Sequence, residues 1–145
     1  MSNAGTYESD FHAWTTEQAR LLRAGRVSEA DLANIAEELE SMGRSERREL
    51  VSRLGVLLAH LLKWRCQPGL RGNSWRLTVR EQRRKLDRHL RDNPSLRANL
   101  DAAMDDAYGD ALLEAQRETG LPEAAFPERC PWTHEQIMAE GFFPD

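Results

Sequence analysis

His60 is the residue whose type and setting best suit acid–base chemistry. It stands in the run Leu54-Gly55-Val56-Leu57-Leu58-Ala59-His60-Leu61-Leu62, followed by Lys63 and Trp64. An imidazole in such surroundings must be hydrogen-bonded or carry a desolvation cost. With a carboxylate partner it can serve as a general base. Glu37 and Glu38 lie at the edge of an earlier helical stripe and could reach a neighbouring helix, so Glu37, Glu38, His60 and Lys63 form the candidate catalytic set. The competing reading makes His60 a polar lock between two core helices, and its apolar surroundings favour the lock.

A second candidate is anion binding. Arg76, Arg80, Arg83 and Arg84 fall beside Trp75 on a basic helical stretch, a pattern that suits a phosphate backbone. Glu81 and Asp87 interrupt the stripe, and the pI is near 5.6. The plainer expectation pairs these arginines with Asp105, Asp106 and Asp110 of the next helix, as surface pairs of small energetic weight. The loop from Gly69 to Ser74 precedes a helix N-terminus and is a weak anion signal.

Metal and nucleophile signatures are missing. His12, His60, His89 and His134 fall on four separate segments, and the Glu-x-x-His pairs of di-iron bundles do not occur. No Gly-x-Ser-x-Gly elbow is present. The reading therefore assigns no metal and no cofactor.

The 145 residues suit one compact core, and 40% hydrophobic with 30% charged residues suits a soluble globular chain. The apolar run of nine residues is far short of the ~20 that span a membrane. No secretory signal is seen. Cys66 and Cys130 read as two free thiols, and the expected location is the cytoplasm. The net charge of −4 conceals an asymmetry. Residues 63–100 hold 11 basic and 3 acidic side chains, +8, whereas residues 101–145 hold 2 and 11, −9. Either these segments neutralise each other or the basic one faces an anionic partner.

The elements that must position these groups are helices. Asp10 caps a first helix over 11–24 that buries Trp14. Ser28-Glu29-Ala30-Asp31 resembles a capping box for a second, with Leu32, Ile35, Ala36, Leu39 and Met42 as its stripe and Gly43 as its stop. The short link Arg44-Ser45 then leads into a central helix over 46–65, apolar on every side and so buried nearly all round. Gly55 and Ala59 invite close approach of another helix. A basic helix spans 75–91 and an acidic one spans 96–119, with Gly109 as a point for a kink or tight contact. The tail from Leu121 to Asp145, rich in proline and aromatics, reads as a strap with one short helix over 133–139. The expected core is Leu54, Leu57, Leu58, Leu61, Leu62, Ile35, Leu39, Val79, Leu86, Leu100 and Leu112. This gives an all-α, single-domain bundle of about five helices over residues 7–145, with residues 1–6 disordered or tag-like.

Tyr7 to Trp14, Glu37 to Gly43, His60 to Trp64, Ser74-Trp75-Arg76, Glu118 to Leu121 and Phe126 to Trp132 occur in an order that resembles the bacterial family called domain of unknown function 29. The likeness runs from about Tyr7 to Phe143. It implies an all-helical bacterial protein and carries no activity and no catalytic residues with it.

Three functions follow as expectations. The first is a non-catalytic interaction or regulatory module that binds another protein or itself through an exposed face, with the strap involved. The second is nucleic-acid association through helix 75–91. The third is an enzyme built on His60, which requires that His60 open onto a pocket.

Overall fold

The structure is a computed structural model that describes residues 4–145. Six α-helices occur in the order α1 (Ala4–Ser9), α2 (Phe11–Arg23), α3 (Leu32–Cys66), α4 (Asn73–Asp92), α5 (Leu100–Thr119) and α6 (His134–Met138). Short 3-10 turns punctuate them, and no strand occurs among the described residues. The all-α reading is met. Residues 1–3 of the expected disordered or tag-like segment lie outside the described residues, and Ala4 already opens α1. The chain forms two compact units, Met1–Ser45 and Glu46–Asp145.

One expected boundary is absent. Helical backbone runs through Gly43, Arg44 and Ser45, so the link between separate second and third helices is not there. A helical glycine costs about 1 kcal/mol against alanine, too little to end a helix with no proline beside it. Arg44 also bonds back along the helix to Glu37 at 3.2 Å and reaches Glu40 at 3.9 Å. Left-handed backbone, the usual glycine stop, occurs instead at Gly25 and Gly120, each at φ 73°.

In the first unit, Ser28 lies in a 3-10 turn and Asp31 directly precedes α3, so the expected Ser28–Asp31 capping box is replaced by a network around Asp31. Its carboxylate accepts from Trp14 Nε1 at 3.1 Å and Asn34 Nδ2 at 2.8 Å. Its own N–H donates to Gln18 Oε1 at 2.7 Å. Trp14 is therefore a core anchor with its indole N–H satisfied, flanked by Tyr7 and Phe11 at ring distances of 4.7 and 5.6 Å. The expected core positions Ile35 and Leu39 do not hold. Ile35 is half-buried, and Leu39 is 63% exposed.

In the second unit, Leu54, Leu57, Leu58, Leu61 and Leu62 are fully buried as expected, but Val56 is 36% exposed and His60 half-buried, so the helix is not buried all round. Val79, Leu86 and Leu90 of α4 cover one flank, and the small residues Ala103, Ala107, Ala111 and Ala115 of α5 cover another. α5 passes close over Gly55, where an added Cβ would stand 3.7 Å from the Ala107 carbonyl oxygen. Gly109 sits on the exposed side of α5 with nothing near it, so the expected tight contact there is not made. Leu100 and Leu112 are half-buried at the edge of this core.

The C-terminal residues close the remaining flank. Phe126 and Ile137 are buried, and Phe143 lies against Trp64 with ring centroids 4.5 Å apart. Thr133 and Gln136 form the expected capping box of α6. Tyr108 Oη donates to the Pro127 carbonyl at 2.5 Å. The strongest tie is Arg83 of α4. Its Nε, Nη1 and Nη2 donate to the carbonyls of Ile137, Glu140 and Phe142 at 2.7, 3.1 and 2.6 Å. The planar guanidinium fork holds its donors in fixed directions that meet all three carbonyls at once. Replacing Arg83 by methionine removes three bonds and strands buried acceptors, each worth about 1–3 kcal/mol. Urea unfolding of Arg83→Met should show a loss of at least about 2 kcal/mol, while Arg84→Met, on the exposed side, should stay within about 0.5 kcal/mol. Equal losses for the two variants would contradict this assignment.

Candidate functional site

His60 lies on α3 one turn before Trp64. Its Nδ1 stands 2.8 Å from the Val56 carbonyl oxygen. A carbonyl only accepts, so Nδ1 carries the proton and Nε2 keeps its lone pair. The ring is half-buried and opens onto a groove of about 470 Å³ between α3 and α5. Gly55, Val56 and Ala59 form an apolar floor, Arg47 and Arg48 line the groove on α3, and Glu114 and Glu118 line it on α5. Burial holds the imidazole below its usual value of 6.5, and the Lys63 charge adds to this. The Val56 carbonyl and the Glu118 and Glu114 carboxylates oppose both effects. The group is thus a neutral imidazole with a free acceptor nitrogen, the form that can take a proton from a bound molecule.

The expected catalytic set is only partly assembled. Lys63 is 5% exposed, donates to Glu118, and lies 5.0 Å over the Trp75 ring. That bond holds the Glu118 carboxyl below its usual range. Glu37 and Glu38 have their partners within the first unit. Glu37 accepts from Arg44, and Glu38 accepts from the Tyr7 hydroxyl, which raises the Tyr7 phenol to about 12. The carboxylates that face His60 come from α5. Nor is His60 a lock between helices, because its bond returns to its own helix.

The interhelical lock is His89, which sequence reasoning passed over. It is 8% exposed, and its Nε2 reaches from α4 to the Glu46 carbonyl of α3 at 2.9 Å. The signal was faint. His89 sits beside Leu86 and Leu90 on the apolar seam of α4, but its partner is 43 residues away in sequence.

The basic helix divides. Arg83 is buried in the clamp described above, so it is no anion ligand, and desolvation lowers its pKa. Arg76, Arg80 and Arg84 are exposed. Arg76 leans over the Trp64 ring at 5.8 Å. Among the described residues none of these arginines pairs with Asp105, Asp106 or Asp110. Asp106 is taken by Arg47 of α3 at 2.9 Å instead. Lys85 pairs with Glu81 and Arg91 with Asp87, both along α4 itself. The expected neutralisation of α4 by α5 is therefore not how the charges are arranged.

Cys66 and Cys130 are free thiols, and burial pushes both up from their usual value. Among the described residues no helix is long and apolar enough to cross a membrane.

His60 gives a testable pH dependence. Its pKa in the folded chain lies below that of the unfolded chain, so its contribution to stability is present above about 6.5 and is lost as pH falls through the folded value. His134, also lowered by burial, acts in the same direction. Urea unfolding between pH 7.5 and 5 should show falling stability, with a shallower slope for His60→Gln. Identical slopes for the two chains would contradict the assignment.

No curated protein and no solved structure matches the chain. A family model does match, over residues 6–143. The buried central helix, the satisfied Trp14 and the Arg83 clamp all lie inside that span, and the chain belongs to the family described as Domain of unknown function DUF29.

Proposed function

We propose that this chain is a non-catalytic helical interaction module whose docking face is the apolar groove of its first unit, filled by a second copy of the chain. The carrying observation is the stripe itself. Leu22, Leu32, Leu39 and Met42 are 42%, 51%, 63% and 64% exposed. Between α2 and the early turns of α3, Leu22, Leu39 and Met42 border a groove of about 360 Å³ that Trp14 and Ile35 also line. Among residues 5–45, whose burial is described, only Trp14, Gln18 and Leu21 are buried, far less core than a unit of that size needs for itself. Contiguous exposed apolar surface of this kind marks interaction sites.

A second copy fits the rim. The charges flanking the groove are mixed and already matched, Glu17 with Arg20 and Arg44 with Glu37. Such a rim selects neither a strongly acidic nor a strongly basic partner, and it is compatible with its own two-fold image. Two apolar two-helix faces brought together make a four-helix bundle. The C-terminal aromatics, expected to take part, pack on the core of the second unit instead. The free thiols support a reducing, cytoplasmic setting.

Nucleic-acid association keeps a narrower basis. Arg80 and Arg84 are exposed and border a cleft with Leu77, and they have no carboxylate partner within ion-pair distance among the described residues. With Arg83 withdrawn, the stripe is too broken to track a phosphate backbone closely.

Sedimentation velocity over a range of concentrations tests the leading reading. The chain should form a dimer, and Leu39→Lys or Met42→Glu should weaken it at least tenfold. Leu113→Lys, equally exposed on α5, should leave it unchanged. A monomer at every concentration would overturn the reading.

A further inference from the structure

We infer that Glu46, Glu49 and His89 form a binding site for a divalent transition-metal ion of the zinc class. The cleft that holds the site shares no lining residue with the His60 groove. One ligand atom from each of the three residues lies within 4.8 Å of the other two. Glu46 and Glu49 are one turn apart on α3, and His89 faces them from α4.

The geometry around the His89 ring carries the inference. The ring is 8% exposed, and both nitrogens face oxygen atoms that can only accept. Nε2 stands 2.9 Å from the Glu46 carbonyl oxygen, so the proton of a neutral ring sits there. Nδ1 then points its lone pair at Glu49 Oε2, 3.4 Å away, with no hydrogen bond between them. Two lone pairs facing each other are repulsive unless a cation lies between. That cation is a second proton or a metal ion, and the geometry points to the metal. With metal–nitrogen and metal–oxygen bonds of about 2.0–2.1 Å at near-tetrahedral angles, two ligand atoms stand about 3.3–3.5 Å apart. A direct imidazolium–carboxylate bond would draw them to about 2.7–2.9 Å. The Nε2–H bond to a backbone carbonyl is also the outer-shell support that metal-bound imidazoles commonly use to set their tautomer and orientation.

The surroundings limit which ion can enter. Glu49 uses Oε1 for Arg53, at 2.8 and 3.0 Å, and leaves Oε2 to His89. The Glu46 carboxylate has its oxygen 3.6 Å from Nε2 and is 47% exposed, so it can swing to complete the set. Asp92 borders the same cleft, as do Arg53, Lys85 and Arg88. Lys85 is engaged by Glu81 at 2.8 Å. One nitrogen and two carboxylate oxygens, with water in the fourth place, suit zinc. Magnesium and calcium prefer all-oxygen shells, and the basic neighbours disfavour ions held by charge alone.

Isothermal titration of the chelator-treated full chain with Zn²⁺ tests the site. One ion per chain is expected, with Mg²⁺ giving no heat. His89→Gln and Glu49→Gln should each weaken binding at least tenfold, and His134→Gln should not. Because His89→Gln disturbs a buried bond, the unmutated chain supplies a second readout. Zn²⁺ should shift the Nδ1 nitrogen resonance of His89 while its Nε2 remains protonated. Stoichiometric binding that survives both substitutions, no Zn²⁺ binding at all, or an Nδ1 that bears a proton in the presence of Zn²⁺ would each overturn the inference.

Discussion

The burial of five leucines between Leu54 and Leu62 is the constraint on which the second unit depends. An ordinary amphipathic helix needs cover on one side only. Here the five fully buried leucines make up one face, and buried Gly55, Ala59 and Lys63 widen the covered arc beyond it, so cover must come from several directions. α4 supplies branched side chains, and α5 supplies alanines that let its backbone approach Gly55. The last flank falls to a segment with little regular structure. Irregular chain brings unpaired carbonyls toward an apolar interior, which is costly unless donors meet them. Arg83 meets three of them, and in doing so turns a basic residue of α4 into a structural one.

The same logic explains where chemistry can occur. Several polar groups at the rim of the leucine core have defined partners. Lys63 is pinned between Glu118 and Trp75, and His89 bridges α4 to α3. His60 differs because its bond is local, so Nε2 stays open to the groove. The first unit shows the reverse situation. Hydrogen bonds from Trp14 and Asn34 and to Gln18 tie its polar network to Asp31, while Leu22, Leu32, Leu39 and Met42 remain uncovered.

Helix content, the central core and the α6 cap were legible because each rests on local spacing. Leu57, Leu58, Leu61 and Leu62 could only be interior, and Thr133 with Gln136 is a short-range signature. Gly43 misled because a single helical glycine costs about 1 kcal/mol, within the reach of neighbouring ion pairs. Leu39 misled because an apolar stripe predicts burial without saying whether the cover comes from the same chain. The roles of Arg83 and His89 could not be read at all. Their partners are backbone carbonyls at sequence separations of 54 and 43, and a backbone carbonyl has no letter in the sequence.

The central claim is that the stripe through Leu22, Leu39 and Met42 is a covered face in solution. Amide hydrogen exchange read by mass spectrometry, on the same chain at low and high concentration, addresses it most directly. The account predicts slower exchange in residues 11–42 at high concentration, with residues 75–91 unchanged. Exchange in residues 11–42 that ignores concentration, or protection that appears only in residues 75–91, would contradict it.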